Sequence, residues 1–179
     1  PTAAYPHLVV LEELQPDQGG KVAAGSESEL VRHLAPISGR HLDLVVAPRN
    51  LDEVANGLGD AWPHARDVID RILRDVQPGE PIRLRPTLLV GAPGSGKTSL
   101  VREIGTALGL ATTVFPCASV ADGSFGGTGA QWATRRASTP LEAIRRANVA
   151  NPLIALDEIE KTGLGTNGGS LLHALLPML

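Results

Sequence analysis

The chain has a single cysteine, Cys117. One thiol excludes an internal disulfide and fits a reducing compartment, and its neighbours suggest a small buried apolar side chain near a strand end. Charge of one sign is not in excess either: 16 Lys and Arg stand against 19 Asp and Glu, for a net charge of −3. That balance supplies no overall pull toward nucleic acid or an anionic membrane, so a nucleic-acid role would need a local patch. No apolar run approaches a membrane span, and the N-terminal residues lack the charged and apolar regions of a secretory signal. A cytoplasmic protein with no membrane partner is the expectation. His7, His33, His41, His64 and His173 show no i, i+4 pairing and no nearby cysteine pair, which argues against a structural zinc. Finally, the sequence starts at Pro1 rather than at a methionine and stops at Leu179 inside an apolar helical pattern, so a fragment of a longer protein is expected.

What is present is enough for one buried core, or for a core with a small appendage. Residues 1–50 form an N-terminal segment of no assigned role: a short apolar stretch at 8–11, a Gly-, Gln- and Asp-rich loop at 15–20, and a predicted helix over 27–34. Ser26 and Glu29 offer that helix a capping box, and 41–47 reads as a short strand before a turn. From residue 51 the spacing becomes helical, with Val68, Ile69, Ile72, Leu73 and Val76 on one face and Pro63 ahead of the first turn. The apolar run 87–90 has the length of a central strand, and Leu100, Val101, Ile104 and Leu108 mark a helix ending near Gly109. A second strand over 112–117, a long Gly-, Ser- and Thr-rich loop over 118–138, a helix over 140–148 and a third strand over 152–156 complete the pattern. Strands alternating with helices predict an α/β fold, a parallel sheet flanked by helices, over residues 51–179.

The motif with most chemical content is Gly91-Ala92-Pro93-Gly94-Ser95-Gly96-Lys97-Thr98, followed by Ser99, between the 87–90 strand and the next helix. It fits the phosphate-binding P-loop pattern. Its glycines let successive backbone N–H groups surround a polyphosphate, and a helix opening at Gly96 adds its positive end. Lys97 can reach the β- and γ-phosphates of ATP, and the Thr98 hydroxyl can ligate Mg2+. Downstream, the apolar run 153–156 ends in Asp157 and Glu158. A parallel strand beside the P-loop strand delivers Asp157 to the magnesium shell at the sheet's carboxyl edge, and Glu158 is then placed to polarise the attacking water.

Together these two motifs resemble Walker A and Walker B of the AAA+ superfamily of P-loop NTPases. Asn151-Pro152, Asp157-Glu158-Ile159-Glu160-Lys161 and Ser170-Leu171-Leu172 are similar to the pattern of Lon-type ATPase modules, patchily over residues 51–179. The resemblance implies an ATPase with catalytic Lys97 and Glu158, working in a homo-oligomeric ring, a hexamer, that remodels or threads protein substrates. Aligned without a gap from Asn151-Pro152, it places Trp132 at the pore-loop aromatic that grips substrate, with Gly127 on a glycine before it. Here the residues before Trp132 are neutral, whereas family members often carry basic ones, and a tryptophan packed under a loop is the alternative. The resemblance puts adenine contacts near Trp62 and His64, where Trp62 as a hydrophobic staple is the competing reading. Residues 163–169 match a second pore-facing loop or a plain connector. A Lon-type protease domain does not fit in the chain. Sensor, arginine-finger and lid residues follow Walker B in the family and fall beyond Leu179, so slow hydrolysis is expected of the isolated chain.

Two other functions fit the same motifs. A non-catalytic module would use nucleotide occupancy to order the 118–138 loop for a partner. A DNA-directed AAA+ protein, of clamp-loader or helicase-loader type, would need more basic surface than the clusters Arg135, Arg136 and Arg145, Arg146 provide.

Overall fold

The 3.6-residue spacing after residue 50 does what it predicts. In the computed structural model, which describes residues 7–12, 24–118, 123–127, 136–161, 171, 175 and 176, it gives helix α2 (Leu51–Ala61), one 3-10 turn (Pro63–Ala65) and helix α3 (Arg66–Leu73). Leu51, Leu58, Ala65, Ile69, Leu73 and Val76 turn inward and Ile72 packs at the edge, while Val68, expected on the same face, is exposed. Helix α4 (Lys97–Ala107) adds Leu100 and Ile104 to this cluster, and Leu108 and Leu110 close it. Gly109 ends the helix with φ at +71°, a conformation open to glycine at little cost.

Strand β3 (Thr112–Pro116) pairs in parallel with β4 (Leu153–Asp157), in register from Thr112 opposite Leu153 to Pro116 opposite Asp157. Side chains alternate across a strand, so the two faces of β4 meet different neighbours. Leu153 packs on the α2–α4 cluster. Ile154 and Leu156 pack with Phe115 against Cys117, Phe125, Leu171 and Leu175. Helix α4 lies tightly on the first face: a Cβ at Gly105 would come within 2.0 Å of Thr112 Oγ1 and 3.3 Å of the Leu153 side chain. Asp157 has the parity of Leu153, so it emerges on the face where α4 begins.

A short helix α5 (Gly123–Gly126) lies within the stretch expected to be a loop over 118–138. Helix α6 (Thr139–Ala147) starts where the Ser138 hydroxyl accepts the Leu141 N–H at 3.4 Å and ends at Asn148, φ +54°. Its apolar side, Leu141 and Ile144, covers Leu34, Ile37 and Leu42 from the N-terminal segment. That segment contributes α1 (Ala24–Leu34) and the antiparallel pair β1 (His7–Val9) and β2 (His41–Asp43). The expected strand over 41–47 is therefore shorter, and Val46 makes only an isolated bridge to Pro81. The Ser26 and Glu29 capping contact lies outside what is described. Among the described residues no helix is long and apolar enough to cross a membrane.

One element departs from the reading of the sequence. Residues 87–90 join no ladder among the described residues, and Leu88 and Val90 are 72% and 88% exposed. Apolar composition makes a run fit to be a strand, but a strand exists only where another chain segment supplies its hydrogen bonds. β4 bonds to β3 and not to this run.

Candidate active site

The loop after residue 90 turns on two glycines with positive φ, Gly94 at +76° and Gly96 at +83°. Gly96 has a second reason to be glycine: a Cβ there would lie 2.9 Å from the ring of Trp62. The α4 ladder starts at the same residue, with Leu100 N–H donating to the Gly96 carbonyl at 2.8 Å. The loop residues Gly91, Ala92, Pro93, Gly94 and Ser95 are exposed, as is Ser99, while Gly96, Lys97 and Thr98 are half-buried. The Lys97 ammonium curls back over the loop and donates to the carbonyl oxygens of Gly91 and Ala92, both at 3.0 Å.

Thr98, in the first turn of α4, donates its hydroxyl proton to Asp157 Oδ1 at 3.0 Å. The two motifs, 59 residues apart in sequence, thus meet side chain to side chain even though their leading runs share no ladder. The pairing is set by Gly105 packing on Leu153 and by the parity of Asp157 on β4. It puts a hydroxyl and a carboxylate oxygen together at a helix N-terminus. Hard oxygen donors of this kind suit Mg2+, which takes one or two protein carboxylates and fills its octahedron with phosphate and water. Among the described residues no group of three or more His, Cys, Asp or Glu side chains could hold a metal ion.

Glu158 follows at once with φ +55°, a left-handed backbone that is costly for a non-glycine residue and tends to mark functional sites. The positive φ turns the chain into a 3-10 turn (Ile159–Lys161), closed by Lys161 N–H donating to the Glu158 carbonyl at 2.9 Å. The Lys161 ammonium also ion-pairs with the Glu158 carboxylate, which raises the lysine pKa, with help from Glu160 and Asp157. The i, i+3 spacing of Glu158 and Lys161 is the signal in the sequence for this pair. Beneath it lies Cys117, 4% exposed, whose N–H donates to the Asp157 carbonyl at 2.9 Å. Burial first, then the carboxylates of Asp157 and Glu160, push its thiol pKa up, so the cysteine stays a neutral packing residue.

Trp62 is half-buried, packed both on the α2–α4 cluster and against Gly96, with the His64 ring 5.8 Å away between centroids and tilted by 54°. The ring therefore touches both the core and the loop residue that precedes α4. His64 itself is exposed. Trp132, residues 163–169 and Ser170 lie outside the described residues. Gly127, expected ahead of the pore loop, has φ +82° and packs so closely that a Cβ would be 2.9 Å from the Arg136 carbonyl oxygen.

Sequence comparison sets the chain beside known proteins. The model of the ATPase family associated with various cellular activities (AAA) matches residues 87–179. A mitochondrial Lon protease homolog of Neurospora crassa is 33% identical over 149 residues, covering 79% of this chain and 12% of its own length. The Lon protease of Magnetococcus marinus is 34% identical over 143 residues, covering 76% and 17%. A peroxisomal Lon protease homolog 2 of Zea mays is 32% identical over 177 residues, covering 93% and 19%. The chain therefore spans less than a fifth of the length of these relatives.

Proposed function

The chain belongs to the AAA family of ATPases, with an α/β P-loop NTPase fold of Lon-like type, and from that premise we propose that it binds ATP with Mg2+ and hydrolyses it within a larger protein. The observation that carries this reading is the Thr98 to Asp157 contact at 3.0 Å, which joins the phosphate loop to the acidic strand end. Backbone N–H groups of residues 91–98, Pro93 excepted, surround the phosphates. Lys97 exchanges its carbonyl contacts with Gly91 and Ala92 for the β- and γ-phosphates. Thr98 and Asp157 hold the cation, which when bound neutralises phosphate charge. Glu158 orients water toward the γ-phosphate, and Trp62 with His64 flanks the base.

The relatives are named as proteases, and their shared module supports a role in a homo-oligomeric ring, a hexamer, that remodels or threads protein substrates, with Trp132 as the gripping aromatic. Residues 51–179 form the nucleotide-binding core in this proposal and 1–50 an added segment. A cytoplasmic setting belongs to the same proposal, and fractionation tests it against the mitochondrial and peroxisomal settings in the relatives' names.

Two substitutions in the parent protein separate binding from chemistry. Glu158→Gln is expected to keep ATP affinity and to lose turnover. Lys97→Ala is expected to weaken ATP binding by about a hundredfold, as for the loss of charge-assisted phosphate contacts. Turnover by Glu158→Gln equal to that of the unsubstituted protein removes Glu158 from the role.

A further inference from the structure

Asn151 is the half-buried residue just ahead of β4, and its carboxamide is used on both sides. Its oxygen accepts the Val45 N–H at 2.8 Å, and its nitrogen donates to the carbonyl oxygens of Val45 at 3.0 Å and Ile82 at 3.1 Å. The surrounding backbone continues the seam: Ile82 N–H donates to the Val45 carbonyl at 3.0 Å, Ala47 N–H to Glu80 at 2.8 Å, and Ala150 N–H to Asp43 at 2.8 Å. The side chain thus acts as an extra peptide group inserted between three backbone segments. One of these, at Ile82, leads directly into the phosphate loop, and Asn151 itself leads into β4.

This matters because no ladder ties the run 87–90 to β4. Ile82 is nine residues before Gly91, and Asn151 is six before Asp157. At about 3.3 Å per residue of fully extended chain, these arms can reach at most about 30 Å and 20 Å from the Asn151 seam. Among the described residues, a side-chain hydrogen bond joins the two motifs again where Thr98 reaches Asp157. Pairing with β3 sets β4 against β3, and α4 packs on both, but Asn151 is the side chain that hydrogen-bonds the approach to the phosphate loop to the approach to the acidic strand end. A slip of one residue in β4 would carry Asp157 to the opposite face.

We propose that Asn151 is a positioning residue for the nucleotide site: by bonding Val45 and Ile82 it sets the phase of β4 against the phosphate-loop arm, and so holds Asp157 at the Thr98 hydroxyl. It touches neither nucleotide nor metal. The inference rests on the magnesium-nucleotide reading given above.

The test is ATP affinity by calorimetry, with Mg2+ and with EDTA, for the unsubstituted protein, Asn151→Asp and Asn151→Ala, each checked by thermal melting. Asn151→Asp keeps the shape and the acceptor but loses both donated bonds. The magnesium advantage, the ratio of the two affinities, is expected to fall about tenfold in both variants, the scale for losing support behind a metal ligand. Affinity without Mg2+ is expected to hold, because the loop and Lys97 are untouched. If Asn151→Ala does not fold, Asn151→Ser carries the same readout. An unchanged magnesium advantage overturns the inference, and so does a parallel loss of both affinities, which is the signature of general destabilisation. A protein with no magnesium advantage before substitution overturns the underlying reading instead, and the inference with it.

Discussion

Leu88 and Val90 face water, while Ile154 and Leu156, in the other apolar run, pack beside Phe115 against Phe125, Leu171 and Leu175. Both runs end in a turn that carries the chemistry: a phosphate loop after the first, paired carboxylates after the second. Their apolar character is alike, and what separates them is pairing. β4 has β3 beside it for five residues, and each bond is repeated along the strand. The run 87–90 depends on its flanks, with the seam at Ile82 behind it and α4 ahead. The site comes together nonetheless, because a helix pressed on a sheet positions side chains as effectively as a ladder does.

The sharpest way to break this comparison is to truncate one residue in each run of this 179-residue chain. Ile154→Ala removes a half-buried side chain packed on a buried cluster and is expected to cost about 2 kcal/mol. Leu88→Ala removes an exposed side chain and is expected to stay within about 0.5 kcal/mol. Denaturant midpoints measured side by side check both, and equal losses would show that the two runs are equally buried in solution.

A smaller effect comes from the buttress beside β3. Glu142 on α6 accepts from Arg145 at 2.7 and 2.9 Å, from His33 of α1 at 2.7 Å and from Arg146 at 2.7 Å. Chiefly through Arg145, and then through His33 and Arg146, its carboxyl is held well below the usual carboxylate range. A depressed folded pKa means that the unfolded chain takes up the proton first. The stabilisation is therefore fully present above the unfolded carboxylate value, about 4.3, and is lost as pH falls through the lower folded value. Glu142→Gln is expected to cost about 1 kcal/mol at pH 7, and the gap to the unsubstituted protein is expected to close progressively below about pH 4. Thermal melts across pH 3–7 check this. A gap independent of pH would mean that packing around α6, and not charge, is what the substitution disturbs.

How much of this could be read in advance follows the same division. Local signals were legible: the period that buries Ile69 and Leu73, and the glycine that ends α4. Parallel pairing was legible as a class, since strands alternate with helices. Non-local choices were not. Nothing in residues 87–90 says whether a strand will pair with them, nothing in Trp62 says that its ring will lie on Gly96, and nothing in Asn151 says that its carboxamide will bridge Val45 and Ile82. Cys117 reads as a buried small residue and is one, but its place under Asp157 depends on the register of β3 with β4.

The central claim is that Thr98 and Asp157 meet in order to share a cation that arrives with nucleotide. Its most direct test is the magnesium dependence of ATP binding in the unsubstituted protein and in Asp157→Ala. The account predicts tighter binding with Mg2+ than with EDTA, by about tenfold or more, and loss of that difference in Asp157→Ala with the EDTA affinity retained. An undiminished magnesium effect in Asp157→Ala would contradict it.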